Sequence, residues 1–204
     1  MTTIIDYRTG NLGSIQNILK RIGEESIITS DKNTIAQATK IILPGVGSFD
    51  TGMRNLIELD LVNVLNFKVL EEKIPVLGIC LGMQLLSKGS EEGVLPGLGW
   101  IDAETRRFNF LDTQEYKIPH MGWNFVNLKR ESKLFHEMYP DARFYFVHSF
   151  YFSPNDISDT LTSTSYEIEF TSAVERDNII GVQFHPEKSH KFGMKLLKNF
   201  IDNY

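Results

Sequence analysis

A single cysteine stands where a nucleophile would be placed. Cys80 lies in Pro75-Val76-Leu77-Gly78-Ile79-Cys80-Leu81-Gly82-Met83-Gln84, where an apolar run gives way to a helical pattern. Gly78-Ile79-Cys80-Leu81-Gly82 has the spacing of a nucleophile elbow, G-x-S-x-G with Cys for Ser, in which a sharp strand-to-helix turn pushes the side chain out of the sheet. Small residues two positions before and two after keep such a turn from clashing. Far downstream, Phe184-His185-Pro186-Glu187 supplies an imidazole and a carboxylate two residues apart, the base and orienting group a thiol nucleophile needs. In extended backbone, residues two apart project to one side, so Glu187 can hold one ring nitrogen of His185 while the other meets the thiol. Taken singly, Cys80 would read as a small buried hydrophobe and His185 as a satisfied core histidine. Together, the glycine frame and the His-x-Glu spacing favour chemistry.

Two further features bear on that chemistry. If Leu81 begins a helix, its backbone N–H and the positive helix end face the sulfur, lowering the thiol pKa and offering one donor to an oxyanion. Pro44-Gly45-Val46-Gly47-Ser48 follows a predicted strand, and its glycines leave the backbone free to approach a ligand or to rotate a peptide, as the second half of an oxyanion hole requires.

The elements that must position these groups alternate at first. Ile4-Ile5, Ile27-Ile28, Ile41-Ile42-Leu43 and Val76 to Ile79 read as short buried strands. Between them, Ile15, Ile18, Leu19 and Ile22 recur at helical spacing, Asp31 to Thr39 is a candidate helix with Asp31 near its cap, and Leu56 to Leu70 forms helical segments. This predicts an α/β fold with an open, mostly parallel central sheet flanked by helices, and sites at the carboxyl ends of its strands. After Gly89 the pattern changes to shorter, more antiparallel strands at Ile101–Phe108, Tyr116–Ile118, Phe125–Leu128, Arg143–Val147, Thr162–Ser165, Thr171–Glu175 and Ile179–Phe184. A closing amphipathic helix spans Phe192–Ile201. An additional, smaller antiparallel sheet is therefore expected, with the whole of 1–204 read as one domain.

Composition narrows the class. A net charge of −5 argues against nucleic acid as a partner, because phosphate binding draws on clustered Lys and Arg. One cysteine forms neither an internal disulfide nor a Cys-rich zinc site, so a reducing, cytoplasmic address is expected. No stretch approaches the roughly 20 apolar residues of a membrane span, and no export signal is read at Met1-Thr2-Thr3. No zinc spacing, phosphate-binding loop or dinucleotide fingerprint is present, so neither metal nor cofactor is expected.

Cys80 in Gly-Ile-Cys-Leu-Gly-Met-Gln, with His185-Pro186-Glu187 near the end, resembles the triad class of glutamine amidotransferases. Asp6-Tyr7 with Gly10-Asn11-Leu12, Pro44-Gly45-Val46-Gly47, His120-Met121-Gly122-Trp123-Asn124, Tyr145-Phe146-Val147-His148 and Gln183 to Ser189 are most similar to the glutaminase subunits of imidazole glycerol phosphate synthases. The resemblance runs from Ile4 to the last helix. It implies hydrolysis of L-glutamine by Cys80, His185 and Glu187, and transfer of ammonia to a (β/α)8-barrel subunit that makes imidazole glycerol phosphate and aminoimidazole carboxamide ribotide for histidine biosynthesis. It also implies an oxyanion site from Leu81 and Gly45-Val46-Gly47, glutamine-binding roles for Gln84, Glu92, Ser149 and Phe150, and a partner interface including Asn11, Trp123, Tyr145 and Lys188. Low activity is expected of the isolated chain, with Val46 presenting its amide only in the complex. Two departures touch the acceptor rather than the triad: the family usually has glycine where Arg8 stands, and Gly99 to Glu104 differs from its more usual stretch. A paralogous branch feeding ammonia to acetamidino-sugar formation for bacterial surface polysaccharides is therefore the alternative. A cysteine hydrolase on the same scaffold and a non-catalytic binding subunit are the readings from other classes. Gln84 and the Trp123 segment argue against the first, the intact triad against the second.

Overall fold

The structure, a computed structural model, describes residues 1–111 and 115–204. In chain order its elements are β1 (Thr2–Ile5), α1 (Leu12–Arg21), β2 (Ser26–Thr29), α2 (Lys32–Ala36), β3 (Lys40–Gly45), α3 (Phe49–Glu58), α4 (Val62–Asn66), β4 (Val76–Cys80), α5 (Leu81–Gln84), β5 (Gly89–Ser90) and β6 (Ala103–Arg107). There follow β7 (His120–Phe125), β8 (Asn127–Leu128), β9 (Arg143–His148), β10 (Phe150–Pro154), β11 (Thr160–Tyr166), β12 (Ile168–Arg176), β13 (Ile179–Val182) and α6 (His190–Asn203).

The expected alternation forms β2-β1-β3-β4, parallel throughout, and β13, read in the sequence among the more antiparallel strands, adds to it parallel to β4 while pairing antiparallel with β12. Alternate side chains leave each strand on opposite faces, so Ile4, Ile42, Leu77 and Ile180 join α1 (Ile15, Leu19) and α6 (Leu196, Leu197, Phe200) in one core. Ile5, Ile41, Leu43 and Val76 join α3 (Phe49, Met53, Leu56) and Leu65 of α4 in the other. Asp31 caps α2, accepting from Thr34 N–H at 2.8 Å, where the sequence places it.

Beyond β13 the sheet continues with antiparallel partners β12, β10, β6 and β11, while β7 and β9 form a separate two-stranded antiparallel sheet. That pair is the smaller sheet anticipated; most of the remaining antiparallel strands extend the main one. The strand expected at Tyr116–Ile118 is absent. Pro119 brings no N–H to a ladder, and the Lys117 backbone is satisfied on both sides by the Tyr166 hydroxyl, at 3.0 Å from N–H and 2.9 Å to the carbonyl. The pairing begins instead at His120. Strand β10, which the sequence reading did not include, pairs antiparallel with β6 and β12, and Phe152 is fully buried there. No helix among the described residues is long and apolar enough to cross a membrane.

Candidate active site

Register brings the chemistry together. Gly45 of β3 pairs with Cys80 of β4, and Val182 of β13 pairs with Ile79, so the segment expected at an oxyanion, the cysteine and the run leading to His185 leave adjacent strands at the same level. Cys80 has φ +53°, in the left-handed region that non-glycine residues rarely occupy, as an elbow demands. Its flanking glycines are fixed by close approach. A Cβ on Gly82 would lie 1.7 Å from the Leu43 carbonyl oxygen, and one on Gly78 2.8 Å from the Gly82 carbonyl oxygen. The helix after the cysteine is a single turn, so its dipole is small, and the donor it offers is the Leu81 N–H itself.

His185 and Glu187 adopt the expected pairing. His185 Nδ1 and Glu187 Oε1 are 2.7 Å apart, with both side chains nearly sealed from solvent. Nε2 is buried without a hydrogen-bond partner, and the ring lines the same cavity as Cys80. Burial draws the imidazole pKa down, but the Cys80 sulfur and the Glu187 carboxylate outweigh it and hold it up to about 10. The neighbouring groups thus favour the protonated imidazole, and its contact with the sulfur is left to tighten when substrate arrives. The backbone of His185 is fixed by β9, its N–H donating to the Tyr145 carbonyl at 2.9 Å. Ser189 locks the turn, its hydroxyl donating to the His185 carbonyl at 2.7 Å and accepting from Tyr145 N–H at 3.0 Å.

A cavity of about 310 Å³ opens over the cysteine. Of the residues singled out in the sequence, Val46, Gly47, Cys80, Leu81, Gln84, Glu92, Ser149, Phe150 and His185 line it. Gly45 lies just beneath: a Cβ there would fall 2.2 Å from the Tyr7 hydroxyl, so only glycine fits. Glu92 accepts from the Phe49 N–H at 2.8 Å, which ties this wall to the start of α3.

One expected donor is turned away. The Val46 N–H donates to the Thr9 hydroxyl at 3.1 Å, and that hydroxyl donates back to the Val46 carbonyl. Thr9 belongs to none of the motifs in the sequence, and Gln183 and His148 stand in motifs that gave them no role of their own. The Gln183 Nε2 lies 3.7 Å from Cys80 Sγ. His148 Nδ1 reaches the Phe150 carbonyl at 2.7 Å, and its Nε2 lies 3.0 Å from His120 Nδ1. Burial lowers His120 to about 4 and His148 to about 3, so both are neutral near pH 7 and a fixed tautomer runs through the pair. Gln183 stood in the motif around His185, and its position beside the cysteine register was the signal available.

The residues expected at an interface divide. Trp123 and Tyr145 are cross-strand neighbours with rings 6.3 Å apart, and Lys188 Nζ lies 5.6 Å from the Tyr145 ring. Asn11 is exposed at the start of α1, and its side chain does not cap that helix. Arg8 occupies φ +65°, where glycine is the easy choice; its N–H donates to Asp6 at 3.0 Å and its guanidinium pairs with Glu58 at 3.2 Å. No cluster of three or more His, Cys, Asp or Glu among the described residues could hold a metal ion.

The model of the family "Glutamine amidotransferase class-I" matches residues 3–204. This chain belongs to the class-I glutamine amidotransferase family of enzymes. Within that family, it is 58% identical over 201 residues to a Methanococcus maripaludis protein named imidazole glycerol phosphate synthase subunit HisH 2, with 98% of each chain covered. It is 50% identical to a Pseudomonas aeruginosa protein of the same name, covering 99% of each. The class-I amidotransferase fold is shared with distant solved structures, among them PurLQS from Thermotoga maritima, with a TM-score of 0.73 at 17% identity over 98% of this chain and 97% of that one. A structure titled glutamine amidotransferase gives 0.71 at 19% over 98% and 97%.

Proposed function

We propose that the chain, acting over 1–204 as one amidotransferase domain, is the glutaminase subunit of imidazole glycerol phosphate synthase. It supplies ammonia to a (β/α)8-barrel partner in histidine biosynthesis. The observation that carries the reading is the one cavity into which Cys80, His185 and both oxyanion segments converge, with Glu187 behind the imidazole. The names of the relatives at 58% and 50% identity supply the pathway.

The Cys80 thiolate, its proton held on His185, attacks the side-chain carboxamide carbon of glutamine. The tetrahedral oxyanion is met by the N–H of Leu81 and by that of Val46 once it turns inward, each such donor being worth about 2.7–4 kcal/mol. His185 returns the proton to the leaving nitrogen and ammonia departs. Water, deprotonated by the same imidazole, then cleaves the thioester to glutamate. Gln84 Oε1, whose amide nitrogen is already engaged, is free to accept from the glutamine ammonium group, with Glu92 across the cavity. Because Thr9 engages Val46 in this structure, full turnover awaits the partner.

Docking of the barrel is supported by an apolar stripe. Met121, Trp123 and Phe125 alternate along one face of β7 and are 61%, 43% and 57% exposed, beside Tyr145 and Lys188. The test is glutamate release from the purified chain with glutamine, with and without a barrel subunit and its nucleotide ligand. Release above a Cys80→Ala control, stimulated by the barrel subunit, is expected; no release in any combination overturns the reading. A second reading, supply of ammonia for acetamidino-sugar formation, is favoured by Arg8, which stands at φ +65° where the resemblance leads glycine to be expected. The identity of the barrel protein that co-purifies with the chain separates the two.

A further inference from the structure

Gln183 follows β13 directly and is fully buried. Its amide orientation is dictated from outside. The Phe150 carbonyl can only accept, and it accepts from Gln84 Nε2 at 3.1 Å and from His148 Nδ1 at 2.7 Å. Gln84 therefore turns its NH2 inward, and its second N–H meets Gln183 Oε1 at 3.1 Å. With Oε1 so engaged, the Gln183 NH2 has one place to point, and Cys80 Sγ lies there at 3.7 Å, an N–H to sulfur distance. A neutral thiol is a weak acceptor, whereas a thiolate is a strong one.

We propose that Gln183 is a further catalytic residue, whose side-chain N–H donates to Cys80 and stabilises the thiolate that attacks glutamine. The inference rests on Cys80 being the nucleophile. The thiol proton passes from Sγ to His185 Nε2 while Gln183 keeps both of its own, so the amide acts as a fixed dipole and not as an acid. Other titratable groups around the sulfur do not substitute for it. His185 takes the proton, His148 is neutral, and burial, with the Cys80 charge adding to it, pushes the Tyr7 phenol far above its ordinary range. Gln84 and the Phe150 carbonyl act through Gln183 and are positioning groups.

The test uses the full chain with its barrel partner and compares wild type with Gln183→Met, which keeps volume and removes the donor, and Gln183→Glu. A hydrogen bond to a charged group sets the scale at about a ten- to hundredfold fall in kcat for Gln183→Met, with KM for glutamine changed far less. The pH profile of Cys80 alkylation by iodoacetamide should move upward by about one unit or more, and further in Gln183→Glu, where a carboxylate faces the sulfur. Should Gln183→Met not accumulate as folded protein, Gln183→Asn, which draws the amide back by one methylene, reads the same quantities. An unmoved alkylation profile, or retained kcat, in a folded variant overturns the proposal. Wild-type protein that releases no glutamate fails the nucleophile reading instead.

Discussion

Removing the Thr9 hydroxyl should raise the activity of the isolated subunit. In the structure that hydroxyl accepts the Val46 N–H at 3.1 Å and donates to the Val46 carbonyl, so the Val46 N–H expected at the oxyanion is engaged by Thr9 instead. A neutral hydrogen bond of this kind contributes about 0.5–1.5 kcal/mol net, and Val46 is 44% exposed, which places it toward the lower end because water competes. Thr9→Val keeps the branched shape and loses both bonds. If the inward-turned peptide is the minor state, weakening the outward one by about 1 kcal/mol multiplies its population about fivefold, with a range of about two- to tenfold. Glutamate release by the subunit alone should increase by that factor, while the rate in the fully stimulated complex stays within twofold, because in the proposed function the bound partner holds the peptide inward. The assay is initial-rate glutamate formation at saturating glutamine with thermal unfolding measured in parallel. An unchanged basal rate in a folded Thr9→Val protein would refute the idea that this contact restrains the site.

Other expectations follow from single contacts. Gly82→Ala places a methyl 1.7 Å from the Leu43 carbonyl, a backbone atom that cannot yield, so a loss of about 3 kcal/mol or more is expected on urea unfolding. Gly13→Ala, on α1 with nothing within 4 Å, should instead gain up to about 1 kcal/mol, and equal effects at the two sites would contradict this account. His120 and His148 are held low by burial, so the unfolded chain binds protons more readily below about pH 6.5. Stability is complete above that value and is lost as pH falls toward 4 and 3, with unfolding free energy at pH 5 lower than at pH 7 by about 2 kcal/mol or more. A flat urea-unfolding profile between these values would count against the neutral pair. Trp123→Asp should abolish capture of the barrel subunit while leaving the subunit's own unfolding within about 0.5 kcal/mol, because the ring is a partly exposed surface group.

What the sequence made legible was local. The elbow could be read because Gly78 and Gly82 frame Cys80 two residues to either side, where close backbone approach leaves no room for a Cβ, and the His-x-Glu spacing because extended backbone places both groups on one side. Four strands of the parallel half, β1 to β4, followed from alternating apolar runs; the parallel pairing of β13 with β4 did not. What escaped depends on register between segments far apart in the chain. Gln183 reaches the sulfur only because β13 lies beside β4, and Thr9 reaches Val46 only because the loop after β1 crosses the end of β3. Composition shows neither. Tyr116–Ile118 has a strand-like pattern, yet the Tyr166 hydroxyl from β11 takes its backbone groups. The single-turn α5 carries less dipole than the helical pattern after Cys80 suggested, which shifts the electrostatic work onto individual donors.

The central claim, that Cys80 forms a covalent thioester with glutamine's side chain under the control of His185 and Glu187, is tested most directly by acid-quenching the enzyme during turnover and weighing its peptides. The peptide bearing Cys80 should gain the mass of one γ-glutamyl group, the gain should accumulate in His185→Asn if deacylation slows more than acylation, and it should be absent in Cys80→Ser quenched alongside. Wild-type protein that releases glutamate at full rate while Cys80 never carries the adduct, or that works equally well as Cys80→Ser, would contradict the account.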